Sequence, residues 1–269
     1  MKRLIPTLFC LAIIAFSYSV VAQDAARPVL IESFSGTWCT YCFGAGMALD
    51  RIHANTSKDE VLVVVYHISD EYSIPFGQQR YDFYQVAGCP TAWFNGVVSE
   101  TGGSSFREGG EGIARVLNIF ADWIEQEQER IPKENPFELQ LFGSVGPENP
   151  EMTLVVSATQ PCPSPLNAVF LIVEDHVAVP EENLAFFANK QPMYSSLART
   201  HVGTKNIDMS LADSVTIHVA SEDFVPHESV ENLRPVVFLQ NSETGEILAA
   251  TGVFTDSNPS SVIEWCMHQ

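Results

Sequence analysis

The chain has 269 residues, enough for one large domain or two ordinary ones, and at 46% hydrophobic and 17% charged it can bury a real core. Lys and Arg number 14 against 33 Asp and Glu, a formal charge of −19 that would repel the phosphate backbone and excludes a nucleic-acid binder. The one long apolar stretch lies at the extreme N-terminus, so a multi-span membrane protein is excluded and the mature chain has no expected spanning segment.

That stretch reads as an export signal over residues 1–22. Lys2 and Arg3 supply the positive region, Leu8 to Phe16 form nine apolar residues, and Val20-Val21-Ala22 fits a cleavage site. Nine apolar residues cover only about half a bilayer, which argues against an anchoring helix. Cys10 follows Phe9 rather than a small residue, which argues against acylation there. The mature protein is therefore expected to begin near Gln23 and to work outside the cytoplasm, in the periplasm, at the outer membrane or beyond it.

Val29-Leu30-Ile31 is a short buried-strand run, broken by Ser35-Gly36-Thr37. Trp38-Cys39-Thr40-Tyr41-Cys42 follows, and Ala45, Ala48, Leu49 and Ile52 then recur at helical spacing. Val61 to Tyr66, with four valines, is a second buried strand, so the unit implies parallel pairing with a right-handed crossover. A helix is expected from Phe76 to Val86, stopped by Gly88-Cys89-Pro90. Thr91 to Phe94 and Val97-Val98 then form a hairpin about Asn95-Gly96. Ile113, Val116, Leu117, Phe120, Trp123 and Ile124 share one face of a further helix.

Pro132 to Pro136 is the best linker in the chain, and beyond it the hydrophobic period switches to two. Phe137-Leu139-Leu141, Met152-Leu154-Val156, Val169–Val173, Val215-Ile217-Val219, Val236–Leu239 and Ile247–Ala250 read as six short strands. Residues 181–208 read as a long excursion, part-helical around Leu184 to Phe187. The expected organisation is a mixed α/β domain over 23–132, a linker at 133–136 and an all-β sandwich over 137–269.

In an exporting context the five cysteines after Cys10 fall where disulfides persist, and an odd count leaves at least one unpaired within the chain. Cys39 and Cys42 stand where a strand hands over to a helix, one turn apart, close enough to form a small ring. The unpaired amide groups of a first helical turn stabilise a thiolate, which makes Cys39 the expected nucleophile and Cys42 the resolving thiol. A purely structural disulfide is the other reading of the pair. Cys162 and Cys266 are candidates for a second disulfide. No second close Cys pair is present, and Glu174-Asp175-His176 alternate faces on a strand, so neither a zinc ribbon nor another metal site is expected. His218, between the inward Ile217 and Val219, is expected to face solvent.

Strand, W-C-x-x-C, helix, strand, helix and then G-x-P-T before a hairpin resembles the thioredoxin family. In that family a cis-proline loop lies against the active-site disulfide, and the residue before the proline offers its backbone to an extended substrate. The resemblance implies that Pro90 is cis, that Cys89 lies close to Cys39, and that Trp38, Cys89, Pro90 and Thr91 border the substrate. Cys89 would then trap Cys39, hold a mixed disulfide, or pack as a small hydrophobe. The strings F-S-G-T-W-C-T-Y-C, Y-H-I-S-D-E-Y, G-Q-Q-R, G-C-P-T-A-W-F-N-G and L-I-V-E-D-H-V further resemble exported proteins of the twenty-eight-kilodalton outer-membrane class, a thioredoxin-like domain followed by an all-β domain.

The chain departs from thioredoxins in ways that matter. The buried acid six residues before the first active-site Cys is replaced by Ser33, while Glu32 is expected on the opposite face of its strand. Thr40-Tyr41 replaces the usual Gly-Pro. His67 and Asp70, on the loop that opens beside the C-x-x-C, are candidate proton-relay residues, with capping as their alternative role. The expected activity is thiol–disulfide exchange, as a reductase or isomerase. It needs no cofactor, and its partners would be exported protein thiols or disulfides and an unidentified redox donor. The alternative is a non-enzymatic surface or outer-membrane-associated binding protein.

Overall fold

Strand β1 (Val29–Ser35) is buried along its whole length because it lies at the centre of a sheet covered on both faces. In the computed structural model, residues 27–132, 136–145, 150–210, 214–221 and 230–252 are described; the expected signal segment, Cys266 and most of the linker lie outside them. From β1 the chain passes through helix α1 (Cys42–Asn55) to β2 (Val61–His67), which pairs with β1 in parallel from Val29↔Val61 to Ser35↔His67. Helix α2 (Pro75–Phe83) opens with proline in its first turn, where the missing N–H has no helical partner to lose. It ends three residues before the expected Val86.

β3 (Thr91–Phe94) lies antiparallel on the other side of β1, and β4 (Val98–Thr101) pairs with β3. Helix α3 (Gly109–Arg130) buries Ile113, Val116 and Phe120, with Leu117, Trp123 and Ile124 packed partly against the same core. Along β1, Val29 and Ile31 face α1 and α3, while Leu30 and Phe34 face the α2 side. This is a mixed sheet flanked by helices, as the sequence implied.

The expectation of a separate all-β sandwich needs correcting. After β5 (Phe137–Ser144) and β6 (Glu151–Ala158) come β7 (Cys162–Glu174), β8 (Val177–Ala178), α4 (Glu181–Leu184), β9 (Met193–Tyr194), β10 (Leu197–Met209), β11 (Ser214–Ala220), β12 (Leu233–Asn241) and β13 (Ile247–Gly252). Four of these strands extend the first sheet, giving the order β13-β12-β7-β10-β2-β1-β3-β4. The join is short: Leu197 of β10 pairs in parallel with Val65, and Val65 N–H donates to Ser196 O at 2.8 Å.

The reason is visible in β7, which is apolar on both faces. Ala168, Phe170 and Ile172 pack under the separate three-stranded sheet β11-β6-β5, whereas Val169, Leu171 and Val173 join the core that also holds Leu30, Leu62 and Phe76. A sandwich alone would cover only the first of these faces.

Two further ties join the halves. Glu32, on the α2 face of β1 as expected, is fully buried and accepts from Arg80 Nε at 2.9 Å, Tyr66 Oη at 2.9 Å and Tyr84 Oη at 2.6 Å. Arg80 Nη1 in turn donates to Gln240 Oε1 on β12 at 2.7 Å. At the other tie Ile247 N–H donates to Asn95 O at 2.8 Å, and the Asn95-Gly96 turn lies against Gly245. Gly96 has φ +68°, and a Cβ there would stand 2.1 Å from Gly245 O, so the contact requires glycine.

Candidate functional site

Gly36, Thr37 and Trp38 carry the chain from the end of β1 to the cysteines. Cys39 N–H bonds Gly36 O and Cys42 N–H bonds Cys39 O, both at 3.1 Å, which closes a tight turn just ahead of α1. In that turn Cys39 and Cys42 form a disulfide with Cα atoms 5.4 Å apart. Cys42 is fully buried and Cys39 is 5% exposed, between the exposed aromatics Trp38 (51%) and Tyr41 (58%). Phe106, also exposed, stands edge-on to Phe43 with ring centres 5.2 Å apart and extends this apolar surface.

The turn is held from both sides. On one, Asp70 Oδ2 accepts from Thr37 N–H at 2.8 Å, and Trp38 Nε1 donates to Ile68 O at 2.8 Å. On the other, the β8–α4–β9 excursion reaches over, with Ala188 N–H donating to Thr37 O at 2.7 Å. The excursion is shorter than the expected 181–208, because β10 takes residues from 197 onward.

The Cys89–Pro90 peptide is cis, as the thioredoxin resemblance implied. Cys39 Sγ lies 3.3 Å from Cys89 O. That carbonyl favours the protonated form of a reduced Cys39, opposing the helix N-terminus, which favours the thiolate. The Cys89 side chain packs partly against the α2-side core as a free thiol; burial, reinforced by the Asp70 charge, pushes it up to about 12, so it stays protonated. Thr91 is buried, and its hydroxyl donates to Gly88 O at 2.7 Å, which pins the proline loop. Cys162 is a free thiol among the described residues, and its expected partner Cys266 lies outside them.

His67 and Asp70 come together, Nδ1 to Oδ2 at 2.8 Å. Burial alone would raise Asp70, but His67 and the N–H groups of Thr37 and Tyr72 hold it below the usual carboxylate range. Asp70 is therefore ionised at neutral pH and accepts from His67 Nδ1, which orients the ring. The imidazole is fully buried, edge-on to Tyr194 at 4.6 Å, and its Nε2 has no partner among the described residues.

His67 also lines a cavity of about 10 Å3, together with Ser33, Asp50, Pro90, Gln191 and Tyr194 among others. Asp50 was not legible as a site residue. Its partners, Gln191 Nε2 at 3.1 Å and Ser195, come from the excursion more than a hundred residues later. Gly46, one turn earlier on α1, is the local clue: a Cβ there would stand 2.1 Å from Gln191 Oε1. Burial pushes Asp50 up to about 7 despite those hydrogen bonds.

Farther along α1, His53 meets Asp175 at 3.3 Å and Ser196 Oγ at 3.2 Å. Ser196 is buried and also accepts from Arg234 at 2.8 Å, so this Ser-His-Asp cluster is a cross-tie without an open face. Asp175 also takes Arg234 Nε at 2.7 Å, while His176 and His218 are exposed. No metal-ligating cluster occurs among the described residues. None of the helices there is long and apolar enough to cross a membrane.

No family model and no curated protein matches the chain. Among solved structures it is similar to HBP35 of Porphyromonas gingivalis, at TM-score 0.63 and 16% identity over 88% of this chain and 78% of that one. A domain of the outer membrane lipoprotein Omp28 from the same organism matches at TM-score 0.29 and 11% identity over 46% of this chain and 90% of that one, too distant to weigh. The likeness to HBP35, with the C-x-x-C turn and the cis-proline loop beside it, makes this a chain of thioredoxin-like fold.

Proposed function

We propose that the protein is an extracytoplasmic thiol–disulfide oxidoreductase, a reductase or isomerase of exported proteins working through Cys39 and Cys42. The observation that carries this reading is the Cys39–Cys42 disulfide lying against Cys89 O, bordered by exposed Trp38 and Tyr41. The export signal expected over residues 1–22 would place its action outside the cytoplasm, in the periplasm, at the outer membrane or beyond it.

Starting from the oxidised pair, a substrate thiolate attacks Cys39 Sγ, a mixed disulfide forms, and Cys42 leaves with the electron pair of the broken S–S bond. A second substrate thiolate then displaces Cys39, so the substrate is oxidised by two electrons and the pair reduced. In the reverse direction Cys39 attacks a substrate disulfide and Cys42 resolves the adduct. Trp38, Cys89, Pro90 and Thr91 would frame the extended substrate. His67, oriented by Asp70, would handle protons. In the reductase direction the pair ends oxidised and an unidentified redox donor returns two electrons to it, while the excursion steadies the turn through Ala188.

The slight exposure of Cys39 favours one other reading, a surface-binding protein whose disulfide is structural. Equilibrating the purified chain with reduced and oxidised glutathione, and following insulin reduction, separates the two. The oxidoreductase reading expects redox equilibrium with the buffer and insulin turnover, both abolished by Cys39→Ser. A bond that never exchanges, together with no turnover, leaves only the structural reading.

A further inference from the structure

We propose that Asn189 is a positioning residue for exchange at Cys39. With Ala188 it clamps the peptides that lead into the cysteines, so the second half of the chain sets the redox equilibrium of the pair. The proposal rests on the oxidoreductase reading and names a residue that reading does not use.

Two carbonyls on the approach to Cys39, those of Gly36 and Thr37, are both held by residues 188–189. Thr37 O accepts from Ala188 N–H at 2.7 Å and from Asn189 N–H at 3.2 Å. Gly36 O, which takes Cys39 N–H at 3.1 Å, also accepts from Asn189 Nδ2 at 3.4 Å. Asp70 fixes the other side of the same link through Thr37 N–H. Asn189 and Thr37 are buried, so bonds lost here are not simply replaced by bonds to water.

The clamp is rigid before it grips. Asn189 Oδ1 accepts from Gln191 N–H at 3.2 Å, an Asx turn that shapes the chain where Lys190 adopts φ +56°. The second hydrogen of the Asn189 amide goes to Tyr194 Oη at 3.0 Å, and Tyr194 is buried in a small core with Val179 and Leu197. Lys190 Nζ donates to Leu184 O at 2.7 Å and to Ala185 O at 2.9 Å, which closes the end of α4 onto the turn.

Such a clamp acts unequally on the two redox states. In the oxidised pair the S–S bond already closes the ring from Cys39 to Cys42, so the clamp removes little further freedom. Reduction opens that ring, and the turn would regain backbone conformations that the clamp withholds. The clamp therefore disfavours the reduced form relative to the oxidised one and makes the pair a stronger reductant. Linkage runs both ways, so the oxidised pair holds residues 188–189 more firmly than the reduced pair does.

The test equilibrates the full-length protein with glutathione, in which the reduced pair and one glutathione disulfide give the oxidised pair and two glutathione thiols. The fraction oxidised is read beside a urea-unfolding curve. Asn189→Ala should shift the equilibrium by about three- to tenfold toward the reduced pair. Asn189→Ser, whose hydroxyl still takes the Gln191 N–H, should restore part of that shift. A lower urea midpoint with an unmoved equilibrium leaves Asn189 a structural role only and overturns the proposal. If Asn189→Ala does not fold, hydrogen exchange at Ala188 N–H in wild type replaces it. That amide should exchange more slowly with the pair oxidised than with the pair reduced by dithiothreitol, and equal rates overturn the proposal. A wild type whose pair never equilibrates with glutathione instead overturns the oxidoreductase reading beneath it.

Discussion

Asp70 Oδ2 accepts from both Thr37 N–H and His67 Nδ1 at 2.8 Å, so a single carboxylate fixes the turn before Cys39 and the tautomer of the neighbouring imidazole. Asp70→Ala leaves the Thr37 donor and the buried ring without their acceptor, and each such loss costs about 1–3 kcal/mol. The variant is expected to unfold at a clearly lower urea concentration than wild type; a midpoint unmoved beyond error would mean that Asp70 holds nothing. This pair was legible because its members lie three residues apart on one loop, as are the two cysteines on theirs. Asp50 was not, because an acid on a helix reads as solvated until the segment covering it is known. That segment, carrying Gln191 and Ser195, arrives from the far half of the chain.

At the scale of elements, period and length sufficed for β1, β2, α1 and α3, where apolar residues alternate or recur without interruption. β10 escaped for a physical reason: its pairing with β7 shifts register between Ala198 and Thr200, His201 and Gly203, and Ile207 and Met209. The first two shifts each add a residue to β10 and the third adds residues to β7, so the buried Leu197, Val202, Ile207 and Met209 do not follow one unbroken period-two pattern. The element-scale tie between the halves is the buried Glu32–Arg80 pair, bridging β1 and α2 with Gln240 of β12 beyond. Removing Arg80 alone strands a buried carboxylate, so Arg80→Met should cost about 3–5 kcal/mol. Adding Glu32→Gln to it should recover part of that loss, since a neutral amide still pairs with Tyr66 and Tyr84. Equal stabilities for the single and double variants in urea would show that the ion pair does not bind these elements.

For the whole molecule, the shared sheet means that loosening α1 from the excursion is felt in both halves, and pH is the lever that reaches this contact. Asp50 is raised from 3.8 to about 7, so between those values the folded chain holds a proton that the unfolded chain has released. Stability from this group therefore falls as pH rises through the window, by on the order of 4 kcal/mol once above it. His53 runs the other way: burial lowers it despite Asp175, so stability is lost as pH falls below the unfolded value of 6.5. Asp175 has its carboxylate held well below the ordinary range by His53 and Arg234 in spite of burial, and it acts only below 3.8, where acidification removes the stability its ionised form contributes. Because these slopes overlap, the raw pH profile of wild type is not diagnostic. The difference between Asp50→Asn and wild type isolates one proton: the variant should gain stability relative to wild type as pH rises from 5 to 8, while the two keep a constant offset at pH 3 and below. Parallel urea-unfolding profiles across that whole range would show that Asp50 does not hold a proton in the folded protein.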